Sequence, residues 1–134
     1  MSNSTLLTAP SLALFGSDVL SEDRVRDQLS AAEELLYVGH AEPSLLATGA
    51  ALEGALRLTG GQAAGYEASA GALLEALHAK GWIDDPEHEL LHRVLTARDR
   101  LVHGYAPDYS SAVSPDGTRA TLCIVVRLLE RLPQ

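Results

Sequence analysis

A chain of 134 residues has the length of one domain, and a domain of that size buries roughly two-thirds of its unfolded surface, enough to fold without staples. Hydrophobic residues make up 46% of the chain but aromatics only 4%, so Leu, Ala and Val must fill the core, a balance that suits packed helices. The formal net charge of −8 opposes broad, non-specific attraction to nucleic acid, which rests on Lys and Arg, so any RNA contact must be local, and an acidic surface equally fits solubility alone or a basic protein partner.

Residues 1–20 specify no element clearly. No basic residue precedes Leu12-Ala13-Leu14-Phe15, so the start does not read as a secretory signal, and no apolar run approaches membrane-spanning length. The single cysteine, Cys123, excludes an intramolecular disulfide and, set in Leu122-Cys123-Ile124-Val125-Val126, reads as a buried small residue. A reducing, cytoplasmic setting without membrane contact is the expectation.

Ser21 has an N-cap side chain, Glu22 and Asp23 supply first-turn acids, and Val25, Leu29, Ala32 and Leu36 follow at helical spacing before Gly39 ends the helix. A second helix is predicted from Pro43-Ser44, with Leu45, Leu46, Ala50, Leu52 and Leu56, to the stop at Gly60-Gly61. Gly49 and Gly54 weaken that helix but permit close helix-to-helix approach. The third is predicted from about Glu67 to Lys80 with Leu73, Leu74 and Leu77 inward, followed by Gly81 and by Trp82-Ile83 packing back on the core.

The fourth helix is the best marked. Asp84 or Asp85 is its cap, Pro86 its first position, Glu87 and Glu89 its first-turn acids, and Leu91, Val94, Leu95, Leu101 and Val102 its apolar residues up to Gly104. Residues 106–117 hold two prolines, three serines and two aspartates and read as a loop carrying Tyr109, before a fifth helix over Thr118 to Leu132. Together the elements predict a single all-α domain, a four- to five-helix bundle over 1–134, with no internal repeat.

Two patterns on the fourth helix carry chemistry. His88-Glu89-Leu90-Leu91-His92 matches H-E-x-x-H, in which two histidines one turn apart hold zinc and the glutamate activates water. A zinc peptidase also needs a third ligand. His103 is off the metzincin register and lies on the order of 20 Å from His88 along an ideal helix. The pattern starts in the helix's first turn, where the dipole opposes a dication. His88 and Glu89 therefore read as solvated first-turn residues, and His40 and His78 as helix-end or surface residues without evident partners.

The second pattern is Arg98-Asp99-Arg100-Leu101-Val102-His103-Gly104-Tyr105. Cleaving RNA without a metal requires a base for the 2′-hydroxyl, an acid for the leaving 5′-oxygen and a cation on the phosphorane. Histidine exchanges protons near neutrality, and a helix C-terminus favours its cation; Arg98 offers a planar fork for two phosphate oxygens. Positions five apart diverge by about 140° on a helix, so Arg98 and His103 meet only if the helix end unwinds near Gly104 and the arginine reaches around.

This segment resembles the signature of HEPN domains, an Arg, a polar residue, variable positions and a His, and in particular the Arg-Asn-x-x-x-His-x-Tyr of toxins paired with minimal nucleotidyltransferases. Arg98, His103 and Tyr105 match, while Asp99 replaces Asn; the looser resemblance runs from Glu33 through Tyr109. It implies a homodimeric, metal- and cofactor-independent endoribonuclease, a toxin or defence effector. Its composite site would be built from two copies of His103 and Arg98, so a monomer would be inactive. The Asp99 carboxylate, four residues before His103, would orient or charge the imidazole, and Tyr105 would stack on a base, bind phosphate or accept AMP from a nucleotidyltransferase antitoxin. The alternative is a non-catalytic HEPN module that binds a nucleotide or a protein, which suits the acidic charge and the scarcity of lysine.

Overall fold

The structure, a computed structural model, describes residues 21–60, 68–105 and 113–132. These form five helices and, among the described residues, no strand: α1 (Glu22–Tyr37), α2 (Ala41–Gly60), α3 (Ala70–Ala79), α4 (Asp85–Val102) and α5 (Pro115–Leu129). The chain is an all-α bundle. No described helix is long and apolar enough to cross a membrane.

The middle of the bundle is α2, which packs against each of the other four helices. Its composition explains the position. Ser44, Leu45, Thr48, Gly49, Ala51, Leu52, Gly54, Ala55, Leu56 and Gly60 are all buried, so small residues let neighbours close in on several sides while leucines fill the gaps. The Ser44 hydroxyl donates to the Ala32 carbonyl at 3.0 Å, which joins α2 to α1 through a buried bond. Leu46, one position from buried Leu45, is exposed, because adjacent helix positions lie about 100° apart.

Local signals set the helix ends. Ser21, Ser69 and Ser114 cap α1, α3 and α5 by accepting from backbone amides three residues on. Residue 67 lies outside the described region, and α3 starts at Ala70. The fifth helix begins at Pro115, three residues before Thr118, since a proline loses no hydrogen bond in a first turn once Ser114 provides the cap. Residues 106–112 of the expected loop, Tyr109 included, lie outside the described residues.

Asp84 is the cap of α4, in a reciprocal capping box: the Glu87 amide donates to Asp84 Oδ1 at 2.8 Å and the Asp84 amide to Glu87 Oε1 at 2.9 Å. Arg127 of α5 donates to both Glu87 oxygens at 2.5 and 2.9 Å and to the Trp82 carbonyl at 3.2 Å. The Arg127 bonds hold the Glu87 carboxyl below the usual carboxylate range despite partial burial. Ile83 is buried as expected, and the Trp82 ring lies under the Arg131 guanidinium at 4.8 Å.

Cys123 corrects the sequence reading, because it is exposed. On α5 the inward stripe is Thr121, Leu122, Ile124, Val125, Leu128 and Leu129, and Cys123 falls beside it. It opens instead onto an apolar groove of about 750 Å³ between α1 and α5, lined also by Leu29, Tyr37, Leu122 and Val126. An unbroken apolar run on a helix must turn some members outward.

Candidate active site

The segment that carries the Arg–His pattern spans the last turn of α4 and its exit. Ala97 faces the core, so Arg98, about 100° further round, faces α2. There Gly49 makes the space: a Cβ at that position would stand 2.6 Å from Arg98 Cγ. The space at this glycine is taken by an arginine stem, where the sequence suggested close approach of a helix.

At the end of the stem, Arg98 Nη2 donates to Glu53 Oε1 at 2.7 Å. The Arg98 side chain is only 17% exposed and that of Glu53 30%. Glu53 also accepts from Arg57 one turn on, at 2.9 Å through Nη2, and Arg57 Nη1 donates to the Ala68 carbonyl at 3.0 Å. Partial burial pushes the Glu53 carboxyl up, but the hydrogen bonds from Arg98 and Arg57 outweigh it and hold the group below the usual carboxylate range. Arg98 Nε is buried without a hydrogen bond and lies 3.5 Å from Asp99 Oδ1.

His103 is the C-cap of α4, exposed, with φ −88° and ψ 11°. Its Nδ1 stands 2.7 Å from the Asp99 carbonyl oxygen. A carbonyl only accepts, so Nδ1 carries a proton in this contact, and the neutral ring keeps its lone pair on Nε2. The Asp99 carboxylate, expected to orient the imidazole, lies against Arg98 instead, and the contact with the ring is made by the Asp99 backbone carbonyl. Gly104 follows with φ +84°, the left-handed ending that glycine favours.

Beyond the turn, Tyr105 is 60% exposed and its ring lies 5.2 Å from the Arg100 guanidinium carbon. The structure therefore joins Arg98 to Glu53 and Asp99, His103 to the Asp99 backbone, and Arg100 to Tyr105. It does not link Arg98 and His103 by a hydrogen bond among the described residues. Chemically, the surface offers an imidazole with a fixed tautomer, a guanidinium steadied by a carboxylate, and an accessible phenol.

Sequence reasoning missed Glu53, 45 positions from its arginine. A signal was present: Glu53 and Arg57 are the only charged residues between Pro43 and Gly60. His78 lies in the last turn of α3, at a helix end as expected, but it does have partners: its Nε2 lies 2.6 Å from Asp85 Oδ1 and its ring stacks on His88. In the H-E-x-x-H segment, Glu89 accepts from Arg93 at 2.8 Å, while His88 turns to Glu75 of α3. Comparison of the chain with protein-family models, with curated proteins and with solved structures finds no match in any of the three.

Proposed function

We propose that the protein is a metal-independent endoribonuclease of the HEPN type, acting as a homodimer in the role of a toxin or defence effector. The observation that carries the reading is His103: an exposed imidazole at a helix end, its Nδ1 tied to the Asp99 carbonyl, in the motif that ends at Tyr105. A fixed tautomer with an outward Nε2 suits general base or, once protonated, general acid chemistry.

In the reaction, His103 of one protomer takes the 2′-hydroxyl proton as that oxygen attacks phosphorus. The second copy of His103 protonates the departing 5′-oxygen, which leaves a 2′,3′-cyclic phosphate and a 5′-hydroxyl. Arg98, held by Glu53 through Nη2, stabilises the phosphorane with the Nη N–H groups that Glu53 leaves open, its Nε–H being buried. Tyr105 presents an accessible hydroxyl for control. Its oxygen would attack the α-phosphorus of ATP on a nucleotidyltransferase partner, with pyrophosphate leaving.

The purified protein, incubated with RNA in EDTA, should release fragments with 2′,3′-cyclic phosphate ends. His103→Ala should reduce the rate by at least about 100-fold. Because the ring is exposed, that variant should melt close to the wild type. No cleavage by a folded dimer would refute the enzyme.

One observation favours a second reading. Arg98 already has a carboxylate partner and is mostly covered, which is how an arginine bracing two helices looks. In that reading the domain is a non-catalytic binding module, and Arg98→Ala would lower stability without changing the fate of RNA.

A further inference from the structure

The end of α4 opposite the Arg–His motif holds a second group of chemistry-bearing side chains. Glu75 and His78 project from α3 and meet His88 from α4; one ligand atom from each lies within 4.8 Å of the others. The two imidazoles stack, with ring centroids 4.2 Å apart and planes 17° from parallel. Each directs Nε2 at a carboxylate, His78 at Asp85 Oδ1 at 2.6 Å and His88 at Glu75 Oε2 in a short contact.

We infer that Glu75, His78 and His88 form a site for one divalent transition-metal ion, of which Zn²⁺ is the natural occupant, linking α3 to α4.

Donor chemistry selects the ion. Two imidazoles and a carboxylate suit zinc and its neighbours, whereas calcium and magnesium require shells made mainly of oxygen. In a tetrahedral zinc shell, bonds of about 2.0 to 2.1 Å place donors about 3.4 Å apart. The three donors lie within 4.8 Å of one another, and His88 and Glu75, now in direct contact, must separate to admit an ion between them. Glu75 is 62% exposed and moves without disturbing the core.

Charge agrees. Neutral imidazoles with the carboxylates of Glu75 and Asp85 contribute two negative charges against a dication, and Asp85, already beside His78, is placed to orient that ring or to join the shell. The positive end of the α4 dipole opposes a cation at His88, but His78 sits in the last turn of α3, whose dipole end is negative.

The backbone under the site is firm. The Ser69 cap sets the start of α3, Leu74 and Leu77 anchor its inner face, and the capping box fixes the first turn of α4 just before His88. Two ligand-bearing helices joined by residues 80–84 thus hold the three side chains within reach of one ion before it arrives, and the two rings turn out of their stacked pose to face it. Such preorganisation lowers the cost of ordering the ligands.

The geometry also separates this site from a peptidase reading of H-E-x-x-H. His92, the second histidine of that motif, has its ring centroid 6.5 Å from that of His88, and Glu89 is engaged by Arg93. The ion would be held by one histidine of the motif together with a histidine and a glutamate that the motif does not contain.

The test uses the 134-residue chain stripped with EDTA and titrated with Zn²⁺ against a chromophoric chelator, with Co²⁺ as a spectroscopic substitute. One ion per chain should bind, Co²⁺ should show visible bands typical of low coordination number, and the melting temperature should rise with metal. His78→Ala and His88→Ala should each weaken Zn²⁺ by roughly 100-fold, and Glu75→Gln by at least about tenfold. His92→Ala should bind as the wild type does. Because Glu75 is at the surface, Glu75→Gln keeps the test valid if a histidine variant misfolds. Failure of micromolar Zn²⁺ to bind, or binding that survives His78→Ala and is lost in His92→Ala, would overturn the assignment.

Discussion

Glu53→Gln is the most informative single change outside the motif. It keeps the size and one acceptor of the side chain but removes the charge facing Arg98 at 2.7 Å and Arg57 at 2.9 Å. Breaking a fully buried ion pair costs about 3–5 kcal/mol, and an exposed pair contributes about 0–1 kcal/mol. At 30% exposure for Glu53 and 17% for Arg98, with solvent screening part of the interaction and glutamine retaining a hydrogen bond, the loss should be about 2 kcal/mol at pH 7.

The pH dependence supplies the second half of the test. The Glu53 carboxyl is held below its ordinary value of 4.5, so the folded protein favours the charged form more than the unfolded chain does. Its contribution is complete above about 4.5 and is lost as pH falls through the lowered folded value. Guanidinium denaturation at pH 7 and at successively lower pH should show the wild type and variant converging in acid, with an unchanged dependence on denaturant. A gap below about 0.5 kcal/mol at neutrality, or one as wide in acid as at pH 7, would refute the role given to this carboxylate.

Three further outcomes are expected. Asp84→Ala removes one arm of the capping box at the start of α4 and should cost about 1–2 kcal/mol in chemical denaturation. Gly49→Ala gains about 1 kcal/mol of helix propensity but drives a Cβ to 2.6 Å from Arg98 Cγ, so overpacking of about 1–3 kcal/mol should leave the variant less stable, and it should lose most of the coupling between Glu53 and Arg98 in a double-mutant cycle. Cys123→Ser should change stability by less than about 0.5 kcal/mol, and the native thiol should react with a water-soluble disulfide reagent without denaturant.

The Glu53–Arg98 pair also bears on the proposed cleavage. An arginine pinned by a carboxylate has less charge to give to a phosphate, yet its guanidinium plane is fixed before substrate arrives, which lowers the cost of ordering it. The two effects part experimentally in Glu53→Gln. If Arg98 is needed in a fixed pose, cleavage falls together with stability; if Glu53 restrains it, cleavage rises while stability falls.

Much of the fold was legible in residue order because the signals are local. Ser21, Asp84 and Pro86 mark helix starts, Gly39, Gly81 and Gly104 mark helix exits with positive φ, and Leu73, Leu74, Leu77, Leu91 and Val94 repeat at helical spacing and are buried. Capping and periodicity act within a few residues, so the chain displays them directly. The Arg98–His103 pattern is equally local in the sequence, but the fold gives its two side chains separate partners.

Tertiary packing decided what lies across helices. The placement of Glu53 against Arg98, the stacking of His78 on His88, and the outward turn of Cys123 each depend on the rotation of one helix against another. That rotation is set by the summed fit of many side chains around α2, and no short stretch of residues encodes it.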